Sequence, residues 1–166
     1  MHSSPVPREI SIEVRPYDNA DAIGTLELFL AAVTQTASAD YTGDQIQAWA
    51  DPNGRDLRHW VEAMEARNSF VATMSGQLAG FSDVGSDGYI DMMFVAPRFS
   101  RCGAARKLLA HGEMLARIWE VPQLSADVSI TARPLFESQG FVVVAEQSPV
   151  KRGVALTNFK MRKTLV

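Results

Sequence analysis

The sequence predicts an α+β fold: a mixed, mostly antiparallel central sheet flanked by helices. Three observations carry that prediction. After one short alternating strand, apolar residues recur at helical spacing as far as Met64. Between residues 69 and 95 the period becomes two, with Ser75-Gly76 and Ser86-Asp87-Gly88 as hairpin-turn material. A turn of small and basic residues then opens a long amphipathic helix, and short strands and helices alternate to the end.

Ile10, Ile12 and Val14 share one face of the first strand, ahead of Pro16. Residues 1–9 are then an N-terminal fringe, and 10–166 form one domain. Asn19 or Asp21 caps a helix running through about Ala37, with Ile23, Leu26, Leu30 and Val33 on one face. Thr42 caps a short helix containing Ile46 and Trp49, and Asp51-Pro52-Asn53-Gly54 ends it. Leu57, Trp60, Val61 and Met64 mark a third helix. Ser69–Met74, Gln77–Val84 and Tyr89–Val95 read as three strands of an antiparallel meander.

The next helix runs from Gly103 to about Trp119, on a stripe of Ala105, Leu108, Leu109, Gly112, Leu115, Ala116 and Trp119. Pro122 follows it. Leu124–Val128 is a strand, Thr131–Ser138 a short helix, and Gly140 suits a C′ position with positive φ. Phe141–Ala145 and Val154–Met161 are the last strands, joined by a polar loop, Gln147–Gly153. The order is β-ααα-βββ-α-β-α-ββ.

Bulk properties narrow the function. The chain has 166 residues, 46% apolar and 21% charged, enough for one domain with a sizeable core. Net charge is -3 with both signs interspersed, which argues against nucleic acid as a partner. One cysteine, Cys102, rules out an intrachain disulfide and fits a reducing compartment. The start, MHSSPVPREIS, lacks the apolar core of a signal peptide, and no apolar run approaches the length of a membrane span. The expectation is a cytoplasmic protein with no membrane partner. His2, His59 and His111 lack metal-ligand spacing, so no metal is expected. No Gly-x-Ser-x-Gly elbow points to a serine hydrolase.

The stretch VAPRFSRCGAARKLL, Val95 to Leu109, carries the chemistry. A helix N-terminus offers unpaired N–H groups and partial positive charge, and both attract phosphate. Gly103, Ala104 and Ala105 let a ligand come close, while Arg98, Arg101, Arg106 and Lys107 add charge. The magnesium-nucleotide loop, Gly-x4-Gly-Lys-Ser/Thr, is absent, and so is the Gly-x-Gly-x-x-Gly dinucleotide fingerprint. Two readings remain: a diphosphate held without magnesium, or a helix start whose small residues serve packing alone.

Ser100-Arg101-Cys102-Gly103-Ala104-Ala105, after Val95-x-Pro97, resembles motif A of the GNAT family of N-acetyltransferases, Gln/Arg-x-x-Gly-x-Gly/Ala. The run Ala132-Arg133-Pro134-Leu135-Phe136-Glu137-Ser138-Gln139-Gly140-Phe141 resembles the family's motif B segment, Ala-Arg-x-Phe-Tyr-Glu-x-x-Gly-Phe. The element order matches from about residue 10 to 163. Ser100 and Cys102 depart from motif A, and Phe136 stands where many members place a proton-donating Tyr.

The resemblance implies the acyl-CoA N-acyltransferase fold, acetyl-CoA as cosubstrate, and direct acetyl transfer to a primary amine of a small molecule or protein. It places the cosubstrate on Met93, Phe94 and Val95, then on Ser100, Arg101, Cys102, Gly103, Ala104, Ala105 and Arg106, and beside Phe136. Main-chain groups of Met93 and Val95 would take the pantetheine contacts. Asp91, the one carboxylate on the strand Tyr89–Val95, is the candidate base or water relay. By the two-residue period it shares a face with Tyr89, Met93 and Val95. Tyr41 and Trp49 flank the region that forms one acceptor wall in the family; helical spacing equally suits Trp49 to the core. Lys151 and Arg152 are candidates to shape that pocket, and Cys102 is a candidate CoA-lining thiol. A non-catalytic CoA-binding module on the same fold is the alternative, and a homodimer is a possible assembly.

Overall fold

The computed structural model describes residues 11–166, so Ile10 and the proposed fringe at 1–9 lie outside the described residues. The chain forms β1 (Ile12–Pro16), then helices α1 (Ala22–Ala31), α2 (Gly43–Ala50) and α3 (Leu57–Ala66). Strands β2 (Phe70–Met74), β3 (Gln77–Ser82), β4 (Tyr89–Ile90) and β5 (Met93–Val95) lead to α4 (Ala104–Ile118). The last third holds β6 (Gln123–Ser129), α5 (Arg133–Ser138), β7 (Val142–Gln147), the hairpin β8 (Val150–Lys151) and β9 (Val154–Ala155), and β10 (Asn158–Thr164).

Two four-stranded sheets form, in the orders β1-β2-β3-β5 and β4-β6-β10-β7. Every pairing in them is antiparallel except β4 with β6, which is parallel. The third strand of the expected meander is therefore not one strand. It breaks at Asp91-Met92, its first half joining one sheet and its second half the other. The expected shared face of Tyr89, Asp91, Met93 and Val95 is lost with it, because alternation needs an unbroken strand.

β2 is buried on both faces. Phe70, Ala72 and Met74 pack toward α4, while Val71 packs with Phe81 among residues of α1, α2 and α3. Two layers of core therefore flank this sheet, joined through its strands.

The first helix differs from the expected one. Asp18 caps a 3-10 turn, Asn19–Asp21, that leads into it, accepting the N–H of Ala20 at 2.9 Å, while Asp21 stands at the N-cap position of α1 without a side-chain cap bond. Asp21 accepts from the N–H of Asp18 and pairs with Arg15 at 2.7 Å. Ile23 is 60% exposed, and the buried side holds Ala22, Thr25, Leu28 and Phe29. The polar Thr25 fits because its hydroxyl donates to the Asp21 and Ala22 carbonyls and accepts from the indole N–H of Trp60. The helix continues through a π turn at Ala32–Thr36 and a 3-10 turn at Ala37–Ala39. Contrary to expectation, the run Asn19–Ala39 is long and apolar enough to cross a bilayer by length and composition. Leu28, Phe29 and Val33 are instead packed inside the protein.

α4 buries Ala104, Leu108, Leu109, Gly112 and Ala116. The expected stripe is turned at its ends: Ala104 rather than Ala105 is buried, and Trp119, just past the helix, is 41% exposed. The expected polar loop at Gln147–Gly153 is partly the hairpin β8–β9, turned by Arg152 (φ 48°) and Gly153 (φ 77°). Arg152 reaches back to the Ala48 carbonyl (2.7 Å) and Asp51 (2.8 Å), and Gln45 donates to the Ala155 carbonyl. These bonds lay the hairpin on α2.

Candidate active site

The break at Asp91-Met92 is held by side chains of the preceding strand and its end. Asp83, 2% exposed, accepts the N–H of Asp91 at 2.7 Å and of Met92 at 2.9 Å. Ser82 Oγ donates to the Met92 carbonyl at 2.7 Å. Arg67 bridges the two acids, with Nε 3.5 Å from Asp83 and Nη1 3.1 Å from Asp91. Burial pushes the Asp83 carboxyl up to about 7, against the opposing pull of those N–H groups and of Arg67.

The break exposes main-chain groups. Ala96 N–H bonds to the Ala79 carbonyl, and Phe81 stands opposite Phe94. Antiparallel ladders alternate, so Phe94 faces β3, while the N–H and C=O of Met93 and Val95 point away from it, into the gap between the sheets.

Two cavities open on this gap. The first, about 320 Å³, is lined by Phe29, Tyr41, Trp49, Arg55, Tyr89, Asp91, Asp127, Phe136 and Lys151 among others. The second, about 700 Å³, is lined by Met93, Phe94, Val95, Ser100, Arg101, Gly103, Ala104, Ala105 and Arg106 among others. Trp49, Met93, Phe94, Ser129 and Ala132 line both, so the cavities meet there.

The second cavity ends on the N-terminus of α4. Arg101 (φ 61°) and Gly103 (φ 90°) turn the chain left-handed, and no side chain caps the helix. The first bond back into the turn is Lys107 N–H to the Gly103 carbonyl. The helix start thus keeps donors for an anion, beside alanines small enough to let it approach.

In the first cavity Tyr41 is pinned. Its hydroxyl donates to the Thr157 carbonyl at 2.6 Å and accepts the N–H of Ile130 at 3.0 Å. Trp49 is half-buried, edge-on to Tyr41 and tilted against Phe94. Tyr89 donates to Asp127 at 3.0 Å, and Gln147 donates to the other oxygen of Asp127 at 2.8 Å. Burial and that bond raise the Tyr89 hydroxyl, which stays protonated at neutral pH. Arg55 lies over the Phe29 ring at 4.7 Å and donates to the Ala50 and Trp49 carbonyls.

The structure gathers most of the residues singled out from sequence. Met93, Phe94, Val95, Ser100, Arg101, Gly103, Ala104, Ala105 and Arg106 share the second cavity; Asp91, Tyr41 and Trp49 share the first. Two fall elsewhere. Cys102 is exposed, its Sγ turned to the Ser100 carbonyl rather than into the cavity. Phe136 is buried against Phe141 and lines the first cavity. Sequence reading passed over Arg55, Arg67, Ser82, Asp83 and Asp127. Asp83 alone had a signal, a carboxylate amid the strand-like Phe81-Ser82-Asp83-Val84.

Known proteins share this architecture. The family model described as an acetyltransferase (GNAT) domain matches residues 37–165. The uncharacterized N-acetyltransferase YafP of Escherichia coli is 38% identical over 152 residues, covering 92% of this chain and 95% of the relative. A GCN5-related N-acetyltransferase from Rhodopseudomonas palustris superposes with a TM-score of 0.89 at 28% identity, over 94% of this chain and 98% of the other. A PaiA N-acetyltransferase from Thermoplasma acidophilum, in complex with coenzyme A, gives 0.71 at 16% identity over 93% and 99%, a likeness of fold.

Proposed function

The chain belongs to the GNAT family of N-acetyltransferases, and we propose that it moves acetyl from acetyl-CoA directly onto a primary amine held in the first cavity. The observation that supports this most is the split strand. It turns the main-chain groups of Met93 and Val95 into the gap where a helix-terminal anion cradle and a polar cavity meet.

The cosubstrate's diphosphate would lie on the N–H groups at Gly103–Arg106, with Arg101 and Arg106 beside it. Its pantetheine arm would run along β5, bonded to Met93 and Val95. The thioester carbonyl would then reach the junction, where the Met93 N–H would stabilise the developing oxyanion. The amine nitrogen forms a bond to the carbonyl carbon as the carbon–sulfur bond breaks. Asp91, directly or through water, takes the proton lost from nitrogen. A thiol has a pKa of about 8.5, so thiolate can leave and take a proton from water, without the Tyr that Phe136 replaces.

We read residues 10–166 as one domain and the protein as cytoplasmic. The test is a thermal-shift series with acetyl-CoA, CoA and Mg-ATP, followed by amine-dependent thiol release. Ligand at about 100 times its Kd adds roughly 2.7 kcal/mol. Shifts with both CoA compounds and none with Mg-ATP, plus turnover, support the reading. Binding without turnover on any amine supports a non-catalytic CoA-binding module instead.

A further inference from the structure

We infer that the acceptor is a zwitterion, a small amine that also carries a carboxylate, held with its ammonium toward Asp127 and its carboxylate toward Arg55 and Lys151. The inference rests on reading the first cavity as the acceptor site.

The charges lining that cavity decide it. Asp91 already has a cation, Arg67, at 3.1 Å. Asp127 does not: Tyr89 and Gln147 donate to it, but no ion pair forms between it and a described residue. Lys160 stands opposite it on β10 without closing to it. Arg55 and Lys151 likewise form no ion pair with described residues. Asp51, whose charge favours the Arg55 cation, is shared with Arg152, which it meets at 2.8 Å. Burial and the Arg152 charge both press on the Arg55 cation, so an anion there would relieve it.

The cavity is thus lined by charges of both signs that form no ion pair with a described residue. Asp127 and Tyr89 come from β6 and β4; Arg55 comes from the segment between α2 and α3, and Lys151 from β8 of the β8–β9 hairpin. A simple alkylamine would satisfy only Asp127, and a ligand bearing both charges satisfies Asp127 as well as Arg55 and Lys151. Phe29, Tyr41 and Trp49 between them suit an apolar side chain. The volume, about 320 Å³, is that of a small-molecule pocket.

The test uses matched sets: phenylalanine, leucine and methionine, each beside its carboxamide and its decarboxylated amine. Thiol release from acetyl-CoA is followed for each. The expected result is a kcat/KM at least tenfold higher for the amino acid than for either partner of its set. Lys151→Ala, a change on an exposed side chain, should cut that ratio several-fold without altering Tm. Arg55→Gln should abolish it, and Asp127→Asn should raise KM for all members of a set together. Equal rates across a set overturn the inference. So does acetyl-CoA binding with no member acetylated, which leaves the CoA-binding reading standing. A missing acetyl-CoA thermal shift overturns both.

Discussion

Asp83 accepts the main-chain N–H of Asp91 at 2.7 Å, eight residues along the chain and across the turn at Gly85–Gly88. With the Met92 N–H on its other oxygen, one carboxylate holds both donors freed where the strand leaves its neighbour. Asp83→Asn keeps one acceptor and replaces the other with a donor facing an N–H. The expected cost is about 1–3 kcal/mol of stability. A fall in kcat should follow, because Met93 hangs on this break. Chemical unfolding and steady-state kinetics on the variant check both; unchanged kcat would detach the break from catalysis.

The same group sets a pH dependence. Its folded-state value, about 7, lies above the ordinary 3.8. The folded protein therefore holds a proton there that the unfolded chain has released. The stability this adds is full below about pH 4 and is lost as pH rises to about 7. Unfolding free energy of the parent relative to Asp83→Asn should fall across that window. A constant difference would mean that the buried group is ionised throughout.

Asp21 works in the opposite sense. Its bond to Arg15, with the Asp18 N–H assisting, holds its carboxyl below 3.8. Its contribution is present above about pH 4 and is lost as pH falls through the folded-state value. Asp21→Asn should lower stability at pH 7 by about 1–2 kcal/mol, as loss of a cap partner and an ion pair. The deficit should narrow at pH 2–3 in acid unfolding; an unchanged deficit would assign it to packing.

Motif spacing reached further into this protein than periodicity did. The helix start at Gly103 was legible because a left-handed turn, small residues and nearby arginines are local features, written consecutively. Thr42 was legible for the same reason, and it forms a capping box with Gln45. The break at Asp91 was not. The residues from 89 to 95 alternate well enough for one strand, and what divides them is Asp83, from another strand's end. The charge imbalance at Asp127 and Arg55 was equally hidden. Their partners lie far away in sequence, and only the fold shows which charges remain unmatched. Ile23 misled because helical spacing finds a face without saying what lies opposite; Thr25 and Trp60 chose the side.

Gly103 separates backbone from ligand. At φ 90° an alanine is strained, by more than about 1 kcal/mol, yet its Cβ would meet only Ile12 at 3.7 Å. Gly103→Ala should thus fold with a slightly lower Tm while its acetyl-CoA thermal shift shrinks. A full shift in a folded variant would remove the helix start from the cosubstrate site.

Tyr41→Phe tests the acceptor wall. The hydroxyl ties the end of β6 to the chain ahead of β10, through Ile130 and Thr157. Its loss leaves the Ile130 N–H without that partner, for about 1–3 kcal/mol. Acceptor KM should rise while acetyl-CoA KM holds, since Tyr41 lines the first cavity and not the second. Equal changes in both would make Tyr41 a fold residue alone.

Asp91→Asn asks whether the acid at the break handles the proton. It keeps the side chain's size and one acceptor for Arg67, so the site's shape should survive. A general base is worth about 10²–10⁴ in rate. Arg67, 3.1 Å away, already engages one oxygen of Asp91, so the expected loss in kcat is at the low end, roughly 10²-fold. Acceptor KM should stay near the parent's, because Asp127 rather than Asp91 carries the unpaired charge. A kcat and pH profile like the parent's would leave proton removal to solvent, and Asp91 would stand as the outer partner of Arg67.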